Sequence, residues 1–395
     1  MLMSTISPYL NFSTWVSLYP NMTVTGSPPW EENSTFGYGT APTPRYYPYP
    51  GYEHPDTAEV TIKIVVYSLL LLMALVGNPI VILIVSLNKT MWTPTNFYIM
   101  NLAIADLLIA LFCMWIHLVQ SMIPNWIFGD FMCRFNNFIQ GASVACSILT
   151  MTVIAMDRFY AIIFPLKARV TDTNAAVVIS LVWIAAIAAN VPLLVVLEQK
   201  EYLWDDGFLE VWCFESWPND NYHGYRQAYS MFLFVAIYTI PMLVMTGAYA
   251  MIGKKLWNKM TPGVTIMSME SAQAKIKKKV IRMLVVLVLV FFVCWTPYQI
   301  IQLYKDFRRK GPLPDWFGDL RYAALLLGYA NSSFNPIIYG GFNENFRKGF
   351  QDAMKITCCR SNRVEPEMPR VYQDDQGAND LELRPEVIET VSEHM

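Results

Sequence analysis

The chain has 395 residues, of which 54% are hydrophobic and only 15% are charged, and its formal net charge at pH 7 is −2. The apolar residues come in long blocks, such as Ile64–Leu87, and do not alternate with polar residues as they do in a soluble core. Blocks of about 20 apolar residues are what a helix needs to cross a bilayer. The composition therefore excludes an ordinary soluble globular chain and predicts an integral membrane protein.

Residues 1–57 form a polar N-terminal region that is rich in Pro, Tyr, Thr and Asn. Such a composition cannot bury a hydrophobic core, so we expect this region to be disordered. It contains N-glycosylation sequons at Asn11, Asn21 and Asn33. Three sequons in one short polar stretch indicate a glycosylated tail on the extracellular side.

Seven apolar segments come next and define a predicted transmembrane bundle over residues 58–341. Their approximate bounds are 60–87, 95–122, 131–163, 174–197, 225–252, 276–304 and 318–340. The segments are too long for barrel strands, which alternate over about ten residues, and no internal repeat of the kind seen in many transporters is found. The predicted fold class is an all-α membrane protein, a seven-transmembrane helix bundle.

The distribution of Lys and Arg sets the predicted orientation in the membrane. Basic residues are dense between the fifth and sixth segments, in Lys254–Arg282, and again after the seventh, in Arg347–Lys355. Loops with an excess of Lys and Arg usually lie in the cytoplasm, so seven spans place the N-terminus outside. The basic stretch Lys305–Lys310 is an exception on the outer side. We therefore predict a multi-pass protein of the plasma membrane.

Residues 342–359 predict an amphipathic eighth helix on the inner membrane surface, because apolar side chains recur there every four residues. The apolar positions are Phe342, Phe346, Phe350 and Met354. Cys358 and Cys359 are candidates for palmitoylation, and two ordinary reduced thiols are the alternative. Residues 360–395 form a polar, acidic cytoplasmic tail.

Polar residues recur at helical spacing within four of the predicted spans. They are Asp106 and His117 in the second span, Gln140, Ser147 and Arg158 in the third, Trp295, Gln299, Gln302 and Asp306 in the sixth, and Asn331, Asn335 and Tyr339 in the seventh. Such residues are costly in a bilayer unless they face a bundle interior or a water-filled cavity. Side chains that hydrogen-bond to their own helix backbone would explain the polar residues of any one span. Polar residues aligned in four spans instead predict a polar interior of the bundle.

Short motifs occur in order along the chain, one per predicted helix. They are GNPIV at Gly77–Val81, LAIAD at Leu102–Asp106, Asp157-Arg158-Phe159, Trp183, Pro241 with Tyr249, CWTP at Cys294–Pro297 and NPIIY at Asn335–Tyr339. From Val60 to Cys359 the chain resembles the rhodopsin-like (class A) G-protein-coupled receptors. Gln140–Phe159 and Cys213–Asn219 resemble receptors for neuropeptide FF, whereas Pro165–Thr171 and Ala274–Leu284 look more like tachykinin receptors.

The resemblance implies a switch at the inner end of the bundle. Asp157 would hold Arg158 at rest, and Arg158 would be freed when the sixth helix, kinked at Pro297, swings outward to admit a heterotrimeric G protein. Tyr249 and Tyr339 would then move towards Arg158. Arrestin, receptor kinases and membrane lipid are further expected partners, and nucleic acid is not.

The resemblance also implies a sodium ion as an allosteric modulator, and no other cofactor is expected. Its site would consist of Asp106, Ser147, Asn331 and Asn335. Carboxylate, hydroxyl and carbonyl oxygens are the ligands that a hard cation prefers.

The ligand class is inferred by exclusion. Receptors for amines place an Asp where this chain has Gln140, and opsins need a lysine in the seventh helix that Ala324–Gly328 does not contain. The loop over residues 198–222 carries seven acidic residues against one lysine, which would steer a cationic ligand, although a merely solvated loop is the alternative. We therefore expect an extracellular peptide, and a lipid ligand is the alternative.

Asp306 is the most specific candidate ligand contact. It lies eleven residues after Trp295, three turns along one helix face. In receptors for neuropeptide FF and neuropeptide Y, an Asp at the corresponding place recognises the Arg of an amidated Arg-Phe or Arg-Tyr terminus. The resemblance thus implies an amidated Arg-aromatic ligand, and a tachykinin-like ligand stays open, as does simple pairing of Asp306 with Lys305 or Arg309. The candidate contacts are His117, Gln120, Gln140, Trp295, Gln299, Gln302 and Asp306.

Two cysteines fall on the predicted extracellular side, Cys133 at the start of the third helix and Cys213 in the acidic loop. Because that compartment is oxidising, we predict a disulfide between them. The histidines at 54, 117 and 223 have no metal-ligand spacing and no nucleophile motif stands out, so an enzyme is not expected. A transporter is a remote alternative that flux assays would test.

Overall fold

The computed structural model describes residues 57–123, 125–164, 174–203, 209–218, 224–258, 268–308, 314 and 316–358. The glycosylation sequons at Asn11, Asn21 and Asn33, the palmitoylation candidate Cys359 and the acidic tail lie outside these residues. Cys358 is the last residue of the final described helix.

Helices dominate the described residues. They are α1 (Thr57–Leu87), α2 (Pro94–Gln120), α3 (Gly129–Ile163), α4 (Ala175–Val196), α5 in three consecutive pieces (Gly224–Phe232, Leu233–Thr239 and Ile240–Asn258), α6 (Ser268–Phe307), α7 (Trp316–Phe342) and α8 (Glu344–Cys358). Two strands, β1 (Leu197–Leu203) and β2 (Leu209–Glu215), form an antiparallel hairpin between α4 and α5.

The described residues contain six helices, α1 to α6, that are long and apolar enough to cross a membrane by composition alone. The seventh, α7, has 27 residues and therefore spans about 40 Å at 1.5 Å per residue. Its average hydropathy is lowered by polar residues such as Asn331, Ser332 and Asn335, all of which are buried. Because these side chains face the interior, α7 completes the predicted bundle of seven spans.

The predicted ends of the helices agree with the structure within a few residues except between α5 and α6. There α5 continues to Asn258 and α6 already begins at Ser268, whereas the apolar segments end at 252 and start at 276. The additional turns carry Lys254, Lys255 and Lys275. A helix that leaves the apolar layer loses its hydropathy signal but keeps its backbone hydrogen bonds, so composition underestimates its length.

The predicted disulfide between Cys133 and Cys213 is confirmed. It joins the first turns of α3 to β2, in the segment that the sequence indicated only as a loop. In the hairpin, Cys213 pairs with Gln199, and the Trp126 amide donates to the Val211 carbonyl at 2.8 Å. We call this end of the bundle the disulfide end, and the end at which α8 comes after α7 the α8 end.

The Gly77-Asn78 part of the first motif brings α1 against α7. A Cβ at Gly77 would lie 2.8 Å from the ring of Pro336, closer than a side chain can approach. Asn78 Nδ2 donates to the carbonyls of Ala74 and Ser332, each at 3.1 Å. α1 continues through Pro79. The glycine is thus required by close helix packing and the asparagine by a bond across the same contact.

Two helices contain a wide, π-type stretch. In α5, Leu233–Thr239 precedes Pro241, and the extra residue accommodates a proline that has no amide hydrogen to donate. In α2, Ala110–Met114 lies between Asp106 and His117. An inserted residue rotates the later part of the helix by about 100°, so these two side chains do not share a face as a regular helix predicts.

Candidate functional site

Two connected cavities lie beside the hairpin at the disulfide end. The first has a volume of about 290 Å³ and is lined by α2, α3, α6, α7, β2 and the first turn of α5; the second has about 160 Å³ and lies mainly between α3, α4, α5 and α6. Their shared lining residues are Asn137, Gln140, Leu197, Glu215 and Tyr298. They are therefore two parts of one site, of the kind that binds ligands in helix bundles.

All seven candidate ligand contacts line these cavities. His117 and Gln120 line the first, Gln140 lines both, and Trp295, Gln299, Gln302 and Asp306 line the second. The spacing of the α6 residues, which repeats every three or four positions, is what turns all four towards one cavity. The structure thus brings together residues of three helices, and their role as ligand contacts stays a prediction.

An aromatic cluster holds His117 in the wall of the first cavity. The imidazole stacks on Tyr322 with ring centroids 5.5 Å apart and meets the edge of Tyr329 at 5.4 Å. Its Nδ1 is hydrogen-bonded to the Tyr67 hydroxyl, and the Tyr329 hydroxyl donates to Gln140 Oε1 at 2.8 Å. Sequence reasoning missed the three tyrosines, although Tyr322 and Tyr329 are seven residues apart, two turns on one face of α7.

Asp306 does not pair with Lys305, and Arg309 lies outside the described residues. Instead, Nη2 and Nε of Arg226 approach its Oδ1 at 2.6 and 2.8 Å. The Ser230 hydroxyl donates to Oδ2 at 2.5 Å. With a side-chain exposure of only 6%, the carboxylate is nearly buried. The sequence did not indicate Arg226, because the contact joins two helices that are far apart along the chain.

Glu215 is the member of the predicted acidic loop that lines both cavities. Its carboxylate lies 3.6 Å from Lys305 Nζ and 3.7 Å from Arg226 Nε. Burial alone raises the pKa of this group, but the neighbouring Lys305 and Arg226 outweigh it and hold the pKa below its ordinary value. The ion pairs of Glu215 are therefore present at neutral pH and are lost only as the pH falls through that lowered pKa.

The two cavities differ in charge. Arg226, Lys305 and Arg321 line the first together with Glu215, whereas the charged residues of the second are Glu215 and Asp306. Both carboxylates of the second cavity are paired with basic residues that line the first, so a cationic ligand group would have to compete with Arg226 or Lys305 for them.

A polar core lies deeper between α2, α3 and α7. The buried carboxylate of Asp106 accepts from Asn335 Nδ2 at 2.7 Å through Oδ2. Its Oδ1, Ser147 Oγ and Asn331 Oδ1 are buried and have no hydrogen-bond partner among the described residues. Buried oxygens of this kind are costly unless something compensates them, and a small hard cation would do so. The chemistry of the four predicted residues thus fits the sodium ion that the resemblance implies.

The predicted switch residues other than Pro297 lie towards the α8 end. Arg158 Nη2 lies 3.0 Å from Asp157 Oδ2, so the expected ion pair is formed. Thr95 of α2 joins it, since its hydroxyl donates to Asp157 at 3.3 Å and accepts from Arg158. Tyr339 is fully buried, and its hydroxyl has no hydrogen-bond partner in the part of the chain that the structure describes. Thr95 was missed because a lone threonine gives no sequence signal.

A seven-span bundle with a cavity at one end, a polar core and an Asp-Arg pair at the other defines a membrane receptor. The model of the family described as "7 transmembrane receptor (rhodopsin family)" matches residues 77–339. The chain therefore belongs to the rhodopsin family of seven-transmembrane receptors, and it is not an enzyme.

Named relatives narrow the class to receptors for peptides. The chain is 38% identical to a QRFP-like peptide receptor of Branchiostoma floridae over 313 residues, which cover 78% of this chain and 80% of the relative. It is 38% identical to neuropeptide FF receptor 2 of Mus musculus, over 76% of this chain and 74% of the relative. The tachykinin-like peptides receptor 86C of Drosophila melanogaster is 31% identical, over 76% of this chain and 59% of the relative. The protein thus belongs with the class A neuropeptide receptors.

Proposed function

We propose that the agonist is a peptide with an amidated Arg-aromatic C-terminus and that it binds in the two connected cavities. The observation that carries the proposal is Asp306, a nearly buried carboxylate in a cavity that contains no lysine or arginine among its lining residues. A guanidinium pairs with a carboxylate through two parallel, charge-assisted hydrogen bonds, which favours an arginine over other cations. Relatives named for QRFP-like peptides and neuropeptide FF support the same ligand class.

The glutamines below Asp306 would bind the neutral carboxamide. Gln299 and Gln302 line the same cavity, and Gln302 Oε1 is buried without a hydrogen-bond partner among the described residues. A carboxamide N–H can donate to this oxygen without any counter-charge. Gln140 and His117 complete the polar lining, and the apolar wall of the second cavity suits the aromatic side chain.

The effect of ligand binding would be transmitted to the α8 end through α6. Trp295 is buried below the ligand site and packs against Gly328 of α7, where a Cβ would lie 3.1 Å from the indole. Ligand contacts that move Trp295 would favour a packing in which α6, hinged at Pro297, moves outward at the α8 end. Arg158 would then leave Asp157, Tyr249 and Tyr339 would approach it, and the cleft would admit a G protein and later receptor kinases and arrestin.

The proposed orientation puts the disulfide end outside and α8 against the inner leaflet of the plasma membrane. The glycosylated tail, residues 1–57, would then be extracellular, and residues 360–395 cytoplasmic. Lys254 and Lys255 at the α8 end support this arrangement. The amphipathic α8 would lie in the membrane surface, anchored by palmitoylation at Cys358 and Cys359. Sodium held by Asp106, Ser147, Asn331 and Asn335 would stabilise the resting state.

The proposal is tested by Asp306→Ala with two synthetic probe peptides, one ending in Arg-Phe-amide and one in which citrulline, a neutral isostere, replaces the arginine. We expect the variant to lose about thirtyfold or more in potency for the arginine peptide, since one partner of a desolvated charge pair is removed. The citrulline peptide should lose far less. Calcium and cyclic-AMP responses of cells expressing the receptor are the measurement.

Asp130→Asn is the matched control, because Asp130 also pairs with an arginine at the disulfide end but lines neither cavity, and the asparagine oxygen can still accept from the Gln199 amide of the hairpin. It should leave both potencies unchanged. Equal losses for both peptides in Asp306→Ala would remove Asp306 from the binding site. A tachykinin-like ligand would then be the better hypothesis, in agreement with the Drosophila relative and with the pairing of Asp306 by Arg226.

A further inference from the structure

The carboxylate that should capture the ligand's arginine is already paired within the receptor itself. Oδ1 of Asp306 accepts from Nη2 and Nε of Arg226, and Oδ2 accepts from Ser230. Gln227 also donates to the Asp306 backbone carbonyl at 3.1 Å, which holds the first turn of α5 against α6. A ligand guanidinium therefore finds both carboxylate oxygens occupied.

Arg226 is the more exposed partner of this ion pair. Its side chain lines the first cavity and is 28% exposed, whereas Asp306 lines the second and is 6% exposed. The ion pair thus stands at the boundary between the two cavities. Glu215 lines both and lies 3.7 Å from Arg226 Nε, so it offers a second carboxylate to the same guanidinium.

We propose that Arg226 determines ligand specificity by acting as an internal competitor: it occupies Asp306 in the ligand-free receptor, and the guanidinium of the ligand replaces it. The proposal rests on the proposed function, because it assumes that Asp306 binds the ligand's arginine. Arg226 then keeps Glu215 as its partner, so neither the incoming nor the displaced cation is left buried and unpaired.

An exchange of this kind selects for arginine over other side chains. A guanidinium can replace both N–H donors that Arg226 withdraws from Oδ1 in one planar group, whereas an ammonium is a point charge and a neutral side chain leaves Asp306 uncompensated. The receptor is competent to bind only in the fraction of molecules in which Arg226 has left Asp306. The apparent affinity for an arginine peptide is therefore the intrinsic affinity multiplied by that fraction.

Arg226→Gln tests the inference with the same two probe peptides. Removing the competitor leaves Asp306 free, so the ratio of the citrulline peptide's Kd to the arginine peptide's Kd should rise by about tenfold or more. Displacement of a fluorescent Arg-Phe-amide peptide from intact cells gives both constants, and an epitope tag reports surface expression. Arg134→Gln removes another paired arginine at the disulfide end that lines neither cavity, and it should leave the ratio unchanged.

Arg226→Lys keeps the charge and covers the case in which the glutamine variant does not fold. Its ammonium should hold Asp306 less firmly than a guanidinium, so the ratio should rise by a smaller factor, roughly threefold. An unchanged or lower ratio in whichever Arg226 variant reaches the surface would overturn the inference and make Arg226 a support that positions Asp306. If Asp306→Ala does not lower this ratio below its wild-type value, the proposed function is overturned instead.

Discussion

Arg158 contacts other residues at the α8 end and takes no part in lining the cavities. Its guanidinium contacts Asp157 and Thr95, and it lines neither of the cavities at the disulfide end. Loss of the side chain should therefore leave the ligand site unaltered. In the proposed function, ligand binding and G-protein coupling are therefore separated along the length of the bundle.

We expect Arg158→Ala to reach the cell surface and bind the arginine probe peptide with nearly wild-type affinity, while G-protein activation falls by at least about tenfold, since a contact needed only in the active state is lost. Arg347→Ala, which removes an exposed positive charge on α8 at the same end, is the control and should keep most of the response. Surface binding and nucleotide exchange on the G protein are measured in parallel. Normal activation by Arg158→Ala would contradict the assigned role.

At the residue scale, the sequence predicted which side chains line the cavities. It did not predict the hydrogen bonds and ion pairs that those side chains make. His117, Gln140, Gln299 and Asp306 were selected by polarity at helical spacing, and all of them line the cavities. Their partners were not predictable, because Tyr67, Tyr329, Arg226 and Ser230 come from other helices and a helix wheel carries no information about the side chains that face it. Spacing along one helix fixes the direction in which its side chains point. A hydrogen bond between two helices depends on how those helices pack.

At the element scale, the seven spans were predictable because bilayer burial imposes long apolar blocks. The hairpin was not, since Leu209–Glu215 mixes Glu, Trp and Cys and lies on the surface of the bundle, where the pattern of a half-buried strand is weak. The wide stretch in α2 was missed for a different reason. An inserted residue within a helix changes the phase of the apolar pattern by only one position, and a uniformly apolar segment conceals the change.

The contact between α6 and α8 gives α6 an acidic partner that the sequence did not reveal. The start of α6 is basic, and Lys279 donates to Glu344 of α8 at 2.8 Å. Both side chains are exposed, and hydrogen bonding to Lys279 lowers the pKa of Glu344. The pair would oppose the proposed outward movement of α6 only weakly, because solvent screens exposed charges.

We therefore expect Glu344→Gln to raise ligand-independent signalling modestly, by roughly twofold, since only an exposed ion pair is lost. Lys279→Glu should act in the same direction, and the double exchange Lys279→Glu with Glu344→Lys should return the signal to the wild-type level. Basal nucleotide exchange per receptor at the surface is the measurement. A double exchange that signals as strongly as the single variants would exclude the ion pair as the cause.

At the scale of the whole molecule, the polar core around Asp106 stands between the two functional ends. On α2, Asp106 lies eleven residues from Thr95, the partner of Arg158, and eleven from His117 in the cavity wall, about 16 Å in each direction. Asn335 of α7 bonds it directly. A cation bound among these oxygens would hold α2, α3 and α7 in the packing that the structure has, in which Asp157 retains Arg158.

If sodium stabilises this resting packing and the peptide stabilises the active one, each must weaken the binding of the other by the same factor. We expect replacement of about 0.15 M sodium chloride by N-methylglucamine chloride, which leaves ionic screening unchanged, to tighten binding of the arginine probe peptide roughly fivefold. Asp106→Asn keeps an oxygen and a hydrogen-bonding group beside Asn335 but removes the charge that a cation needs, so its affinity should not respond to the exchange. Asp130→Asn, an exposed carboxylate at the disulfide end, should respond as the wild type does. A sodium response that persists in Asp106→Asn would show that the ion acts elsewhere, and that the unpaired oxygens of the core are compensated by something other than sodium.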